Sequence, residues 1–399
     1  MDISFHYFAV KTIALAAGYK EDKAQRIATF SQFVDDYNWY VYFRASNIPG
    51  YVKASQLDIV YNDFLSIINP VTSGFSDNFD MATLILPRSQ KFTVSPFHFI
   101  PQDKASCDAG DYRAVPAVLN DGSYIFNMLN DLKAKMLTHV ISESDALMQL
   151  GALFHTFADT YAHQLFTGYN NQINSVVLKS VTDNITGKDV TAQYHFWVEQ
   201  WIARVESIIK TKMPTIGHMA IAHVPDLSHL SFSMEYQDLQ GNKHIHSRSN
   251  TETFVRASKE IYTFLRLCLE PDGVGPNMGW DELVQGLAEG FLLDASKELE
   301  AGEVTAVAVL TPHWSSVFPR YAYSYNSEKI KSRFILSTSN DVQQVEMDGE
   351  ALTLMSSAYS DDFYKYNLFA DRFLIKLYGD HPRNWLSAEN AEEPAHVSP

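Results

Sequence analysis

Residues 152–166 read ALFHTFADTYAHQLF and set His155, Asp159 and His163 at a strict spacing of four. On an α-helix each step of four advances about 40° around the axis and about 6 Å along it. The three side chains therefore share one face, as a ladder among apolar neighbours. The end rungs stand about 12 Å apart, too far for both histidines to grip one ion, whereas adjacent rungs are close enough. The pattern predicts either a buried polar stripe of i,i+4 His–Asp contacts or several metal ions with Asp159 between them.

Four further stretches carry the same residue types. SFHYF (4–8) puts His6 on an otherwise apolar helix, and a satisfied core histidine is the plainer account. SQFVDDY (31–37) sets Asp35 and Asp36 in the last turn of a helix, facing the negative end of its dipole. Their charge calls for a cation, for Arg44 or for plain solvation. SPFHFIP (95–101) reads as a rigid loop holding His98 between aromatics and prolines. In IGHMAIAHVPDL (216–227), His223 and Asp226 meet on one helical turn, with His218 more awkwardly placed. HIH at 244–246 fits a surface position after a turn. Nitrogen and carboxylate donors without thiolate suit zinc in a catalytic site, and manganese or iron less well.

Composition narrows the rest. The chain has 399 residues, 46% hydrophobic and 13% aromatic, enough for a large core. Its net charge of −16 disfavours an extended nucleic-acid surface, although bound cations reverse the local field for a phosphorylated small molecule. Two cysteines, Cys107 and Cys268, make no disulfide framework and fit a reducing compartment. The first twenty residues lack a basic n-region and read as an amphipathic helix, so a cytoplasmic protein without a signal peptide is expected, with non-classical export left open. No run of 18 apolar residues exists to span a membrane. There is no G-x-S-x-G elbow, P-loop, dinucleotide fingerprint or adjacent His-Asp pair.

Helical periodicity dominates and predicts a mainly α fold. Helices are expected over 3–17 (stopped by Gly18), 20–37, 142 to about 168 (opened by the capping box SESD), 192–214 (stopped by a proline), 250–269, 280–299 and 360–378. Residues 69–123 read as an irregular excursion, 231–248 as a small β-hairpin, and 303–358 as poorly legible with β-like patches. One domain over 1–385 is expected, with a metal-site core in 1–265, a helical extension in 266–385 and a disordered tail in 386–399.

The order of these residues resembles that of the zinc-dependent phospholipase C and single-strand nuclease superfamily. That superfamily is mainly helical and holds a trinuclear zinc cluster. The phrases SFHYF, SQFVDDY, FHTFADTYAHQ and GHMAIAHVPDL further resemble an uncharacterised bacterial family usually assigned to it. The resemblance covers about residues 1–265. It implies a helical bundle of the phospholipase C type. It implies a first zinc on Asp36 or Asp35, His98, His155 and Asp159, and a second on His6 with Asp159 bridging. A third would sit on His163, His223 and Asp226 or His218. The pair His223-x-x-Asp226 departs from the superfamily's His-x-x-x-Glu/Asp, and His163 lies closer to the shared aspartate than its counterpart does.

The resemblance also implies that Met1 offers its amino and carbonyl groups beside His6 and Asp159, the alternative being a frayed terminus. Asp36 and Asp159 are the carboxylates expected to act in catalysis. The implied activity is hydrolysis of a phosphoric ester by two or three zinc ions. The substrate would be a small phosphoester or phospholipid; alternatives are a nuclease or nucleotidase, or a metal-stabilised binding protein without activity. Peripheral membrane contact is suggested by YNWYVYFRASNIPGY (37–51), against ordinary core packing. The oligomeric state is not legible.

Ligands drawn from residues 6 to 226 tie distant segments together, and an ion bound only by the native state stabilises it by mass action. Thorough chelation should therefore lower the melting temperature in a differential scan. An unchanged midpoint would mean that the histidines are core residues and nothing more.

Overall fold

The computed structural model describes residues 1–38, 43–54, 60–62, 67–74, 86–347 and 350–379. The longer helices are α1 (Val10–Ala17), α2 (Glu21–Asp36), α3 (Tyr124–Leu137), α4 (Glu143–Ala162), α5 (Thr191–Ile209), α6 (Asn250–Leu269), α7 (Trp280–Gly290), α8 (Glu303–Val317), α9 (Ser327–Phe334) and α10 (Asp361–Tyr378). The fold is mainly helical, as the periodicity predicts, with two small sheets. None of the helices among the described residues is long and apolar enough to cross a membrane.

The crossing of α2 and α4 organises the core. Helix α4 is buried from Leu150 to Ala162, so its apolar and polar faces both lie inside. Gly151 sits at the crossing: a Cβ there would stand 2.2 Å from the Ile27 carbonyl oxygen. Only a bare backbone lets the two helices approach so closely. That approach delivers His155, one turn further on, to the backbone of α2, where its Nδ1 lies 2.9 Å from the Ser31 carbonyl. Helices α1 and α6 pack beside this pair. Gly18 ends α1 in the left-handed region at φ 117°, the C′ role expected of it.

The expected hairpin is present and belongs to a larger sheet. Strands β1 (Phe43–Ala45), β2 (Val60–Asn62), β3 (Ile67–Asn69), β8 (Ile335–Met347) and β9 (Glu350–Tyr359) form one sheet in the order β2-β3-β1-β9-β8. Strands β4 (Val177–Asp183), β5 (Lys188–Asp189), β6 (Leu230–Gln237) and β7 (Lys243–Ser249) form the other, in the order β5-β4-β6-β7. Its members are all antiparallel, and β6 alternates buried and half-buried residues over its first half. A second apolar cluster, around Val181, Leu230 and Phe232, lies beneath it.

Several boundaries differ from the periodic reading. Helix α4 ends at Ala162 rather than near 168, and His163 takes the cap position at φ −97°, ψ 16°. The chain must turn there, because Gly168 then passes against Ser95, where a Cβ would meet the Ser95 Cα at 2.5 Å. Helix α5 stops at Ile209, before its proline, as Lys210 enters the left-handed region. The span 280–299 is broken after Gly290, which accommodates the Trp314 ring, and resumes as Ser296–Glu300. The unreadable span 303–358 contains α8, with Pro312 inside it, α9 and the β8–β9 hairpin.

The irregular excursion holds short helical pieces, among them Ser95–His98, so His98 ends a helix rather than sitting in a loop. Residues 75–85 of that excursion, 39–42 of the aromatic stretch and the tail 386–399 lie outside the described residues.

Replacing Gly151 with alanine pushes a methyl into backbone that cannot yield without parting α2 from α4. Overpacking of this kind costs about 1–3 kcal/mol. The denaturation midpoint of Gly151→Ala should fall accordingly, and an unchanged midpoint would mean that the crossing is looser than described.

Candidate metal centre

Two π-helical turns set up the site. The first, Ser4–Ala9, precedes α1 and turns His6 inward. The second, Gln90–Val94, leads into Ser95–His98. Such turns add a residue to the helical repeat and recur at functional sites. His6 from the first, Asp35 from the end of α2, His98, and His155 with Asp159 from α4 converge on one buried region. His163 and the turn of residues 216–227 complete it.

Asp159 lies at the middle, 1% exposed. Its Oδ1 stands 2.5 Å from the Met1 nitrogen and 3.2 Å from His6 Nε2. Its Oδ2 stands 3.2 Å from His155 Nε2, 3.4 Å from His98 Nδ1 and 3.7 Å from His163 Nδ1. The two oxygens of one carboxylate thus face different sets of donors. Three groups of potential ligands follow, within each of which the atoms lie no more than 4.8 Å apart: His6, His155 and Asp159; Asp35, His98 and His155; His163, His218 and Asp226.

The protonation pattern of the imidazoles is fixed from behind. A carbonyl oxygen only accepts, so a ring nitrogen bonded to one must carry its proton. His98 Nε2 donates to Ser73 O at 2.7 Å, and His155 Nδ1 to Ser31 O at 2.9 Å. His163 Nδ1 donates to His98 O and His218 Nδ1 to Ala222 O, both at 2.6 Å. In the neutral ring the opposite nitrogen is then a bare lone pair. For His155, His163 and His218 that nitrogen faces a carboxylate oxygen at 3.0–3.3 Å. A lone pair against an anion repels unless a cation or a proton lies between them. His6 is fully buried, and among the described residues neither of its ring nitrogens makes a well-aligned hydrogen bond, although Nε2 stands 3.2 Å from Asp159 Oδ1.

Electrostatics point the same way. Burial drives His6 down to about 4 and His218 to about 3, and it holds His155 well below the usual imidazole value, so protons are poor candidates for the gap. Burial pushes the Asp35 carboxyl up to about 8. Burial also acts on His98, downward, but Asp159 and Asp35 outweigh it and raise that ring. For the Met1 amino group, burial is again outweighed by Asp159 and Asp226, and the value rises to about 10. Asp159 and Asp226 stay well below the ordinary carboxylate range despite burial: His163 and the Met1 amino group hold down the first, His218 and the Met1 amino group the second. Neutral imidazoles with fixed tautomers beside ionised carboxylates form a donor set that fits zinc.

The structure separates residues that the sequence leaves as alternatives. Asp35 joins a donor group, whereas Asp36 turns its Oδ2 to Tyr325 Oη at 2.5 Å and to Gln32 at 3.3 Å. Asp36 therefore stands outside all three groups, although it lines the same cavity. His218 is half-buried, with Nε2 3.3 Å from Asp226 Oδ2, while His223 is 51% exposed, with Nδ1 3.4 Å from the same oxygen. His223 and Asp226 do meet across one turn, Asp226 N–H donating to His223 O at 2.9 Å, although it is an isolated turn rather than part of a helix. Residues Met219–Ile221 make a 3-10 turn, and Ala222 at φ 47° swings His223 outward. His244 of the HIH pair meets Asp238 on the surface at 2.8 Å.

Sequence reasoning did not single out Tyr325, Ser31, Ser73 or Arg248, which hold the site from distant parts of the chain. No local signal marks the carbonyls or the tyrosine. A lone arginine following a histidine-rich strand gives only a faint one.

An open cavity of about 610 Å³ borders the centre. Asp159, His98, His163, His218, His223 and Asp226 contribute to its wall, and Trp197, Trp201 and Arg204 of α5 and Lys331 of α9 face it from other sides. The Trp197 indole donates to Glu300 across this space.

No curated protein and no solved structure matches the chain. A family match covers residues 1–376, and so includes every donor described above. On that match the chain belongs to DUF6765, a family of unknown function.

Proposed function

We propose that this protein is a metal-dependent phosphoric ester hydrolase, most like phospholipase C, with two or three zinc ions at the centre around Asp159. The observation that carries the reading is the ring of bare imidazole nitrogens turned toward carboxylates, each fixed by a carbonyl behind it. His6, His155 and Asp159 would hold one ion, Asp35 and His98 another with Asp159 between, and His163, His218 and Asp226 a third. Ions so held would supply water activation and neutralise charge developing on a phosphoryl group.

The chain's own residues do the rest. The backbone carbonyls keep the rings of His98, His155, His163 and His218 in one tautomer and orientation. Helix α4 bars solvent from behind. Arg204 and Lys331 bring positive charge to the cavity wall in an otherwise acidic protein, which favours an anionic substrate. Asp36, steadied by Tyr325, is a carboxylate of that wall outside the three donor groups and would accept or return a proton. Two features favour an enzyme over a closed structural site: the donors open on a cavity, and its volume suits a small ester. A lipid headgroup is favoured over a nucleic acid by the acidic surface.

Metal analysis of the purified protein, followed by hydrolysis assays on choline phospholipid micelles and on single-stranded DNA, tests the reading. Metal-dependent release of phosphocholine is expected, and a folded protein that neither binds metal nor cleaves either substrate overturns it. Within the centre, Asp159→Asn should lose more metal than any other single substitution. Activity should drop by about 100-fold or more, since even outer partners of metal ligands cost 10–100-fold. Full metal content in Asp159→Asn, with loss in His155→Ala, would mean that Asp159 does not bridge.

A further inference from the structure

The penultimate residue of strand β7 is an arginine that belongs to no ion pair among the described residues. Arg248 spends its donors on oxygens of another kind. Its Nε donates to Asn250 Oδ1 at 2.9 Å, its Nη1 to Tyr161 O at 2.6 Å, and its Nη2 to both Ala162 O at 2.8 Å and Pro225 O at 2.9 Å. The guanidinium lies 5.0 Å from the centre of the Phe232 ring, directly across the ladder. Burial lowers its pKa to about 9, a sign of how little solvent reaches it, and it stays charged at neutral pH.

The carbonyls it has chosen are informative. Tyr161 and Ala162 close α4, where unpaired carbonyls and the negative end of the helix dipole welcome a cation. Ending a helix would account for those two contacts. It does not account for Pro225, which lies in a separate turn. The Ala162 carbonyl belongs to the peptide bond that begins His163, and the Pro225 carbonyl to the one that begins Asp226. A single nitrogen, Nη2, therefore ties together the backbones of two residues whose side chains meet at 3.0 Å, His163 Nε2 against Asp226 Oδ1. Asn250, fully buried, brackets the same turn by donating to Val224 O at 2.8 Å and to Leu227 O at 2.9 Å.

We infer that Arg248, seconded by Asn250, is the positioning residue for the group His163, His218 and Asp226, and that it sets the affinity of that group for its ion without touching it. The inference rests on the metal centre proposed above and adds to it the device that joins its two halves. Asp35, His98, His6 and His155 are held by α2, α4 and the π-turns and need no help from β7. His163 and Asp226 come from opposite sides of a turn and a helix end, and the planar fork of an arginine bridges both. A lysine would keep the charge but has no rigid pair of forks to place.

The test uses Arg248→Lys and Asn250→Ser in the full chain, with Co(II) as the probe. Wild-type protein stripped of metal is titrated with Co(II) while the visible absorption bands are followed, and His218→Ala marks which step belongs to the third group. In either variant that one step should weaken by 10-fold or more, with the other steps unchanged. Circular dichroism and the melting curve of the metal-free protein establish folding. Unchanged titration in both folded variants overturns the inference and leaves the metal reading intact. Equal weakening of every step, or failure of both variants to fold, also overturns it, because Arg248 would then be a general support. Absence of any Co(II) step in the wild type instead overturns the metal centre itself.

Discussion

Burying the Asp159 carboxylate is the constraint on which this structure turns. A lone ionised carboxylate in a protein interior carries a desolvation cost of several kcal/mol, so everything around it must answer its charge. Five nitrogens from three parts of the chain surround it, those of Met1 and His6, of His98, and of His155 with His163, and the charged Met1 amino group answers it directly. The imidazoles are in turn fixed by carbonyls of Ser31, Ser73 and His98. The hydrophobic core exists in part to keep these layers in register. Gly151 sets how closely α2 approaches, and the Ser31 carbonyl then reaches His155. Loosening that crossing would loosen the centre.

The four-residue spacing of His155, Asp159 and His163 is sufficient to predict that they face one way, because helical geometry converts spacing into direction. It cannot say that the helix stops one residue short of His163. That depends on Gly168 meeting Ser95 and on the remote Arg248. The same division holds elsewhere. The capping box at 142–145, the stop at Gly18 and the hairpin about Gly241 are local chemistry and are legible. The strands β4 and β5, and α8 with its internal proline, depend on what packs against them.

Choices between neighbours were the least legible of all. Asp35 and Asp36 differ by one position, which on a helix is about 100° of rotation. Which of them faces the centre is decided by Tyr325, nearly three hundred residues away. His218 and His223 are separated by a turn whose shape hangs on one left-handed alanine, Ala222. The side chains that anchor a site through the backbone leave hardly any trace in the sequence, since a carbonyl oxygen has no letter.

The π-turn at Ser4–Ala9 bears on how the chain tolerates changes in length. Its widened repeat closes with Val10 N–H reaching back to the Phe5 carbonyl, five residues earlier. Removing one residue between His6 and Val10 would let the backbone relax into an ordinary α-helix. Everything before the deletion would then rotate by about 100° relative to α1. His6 would swing away from Asp159 while every hydrophobic contact of α1 was preserved. The segment, buried along its whole length, therefore encodes a count as well as a composition, and a one-codon deletion after His6 would be equivalent to losing the histidine.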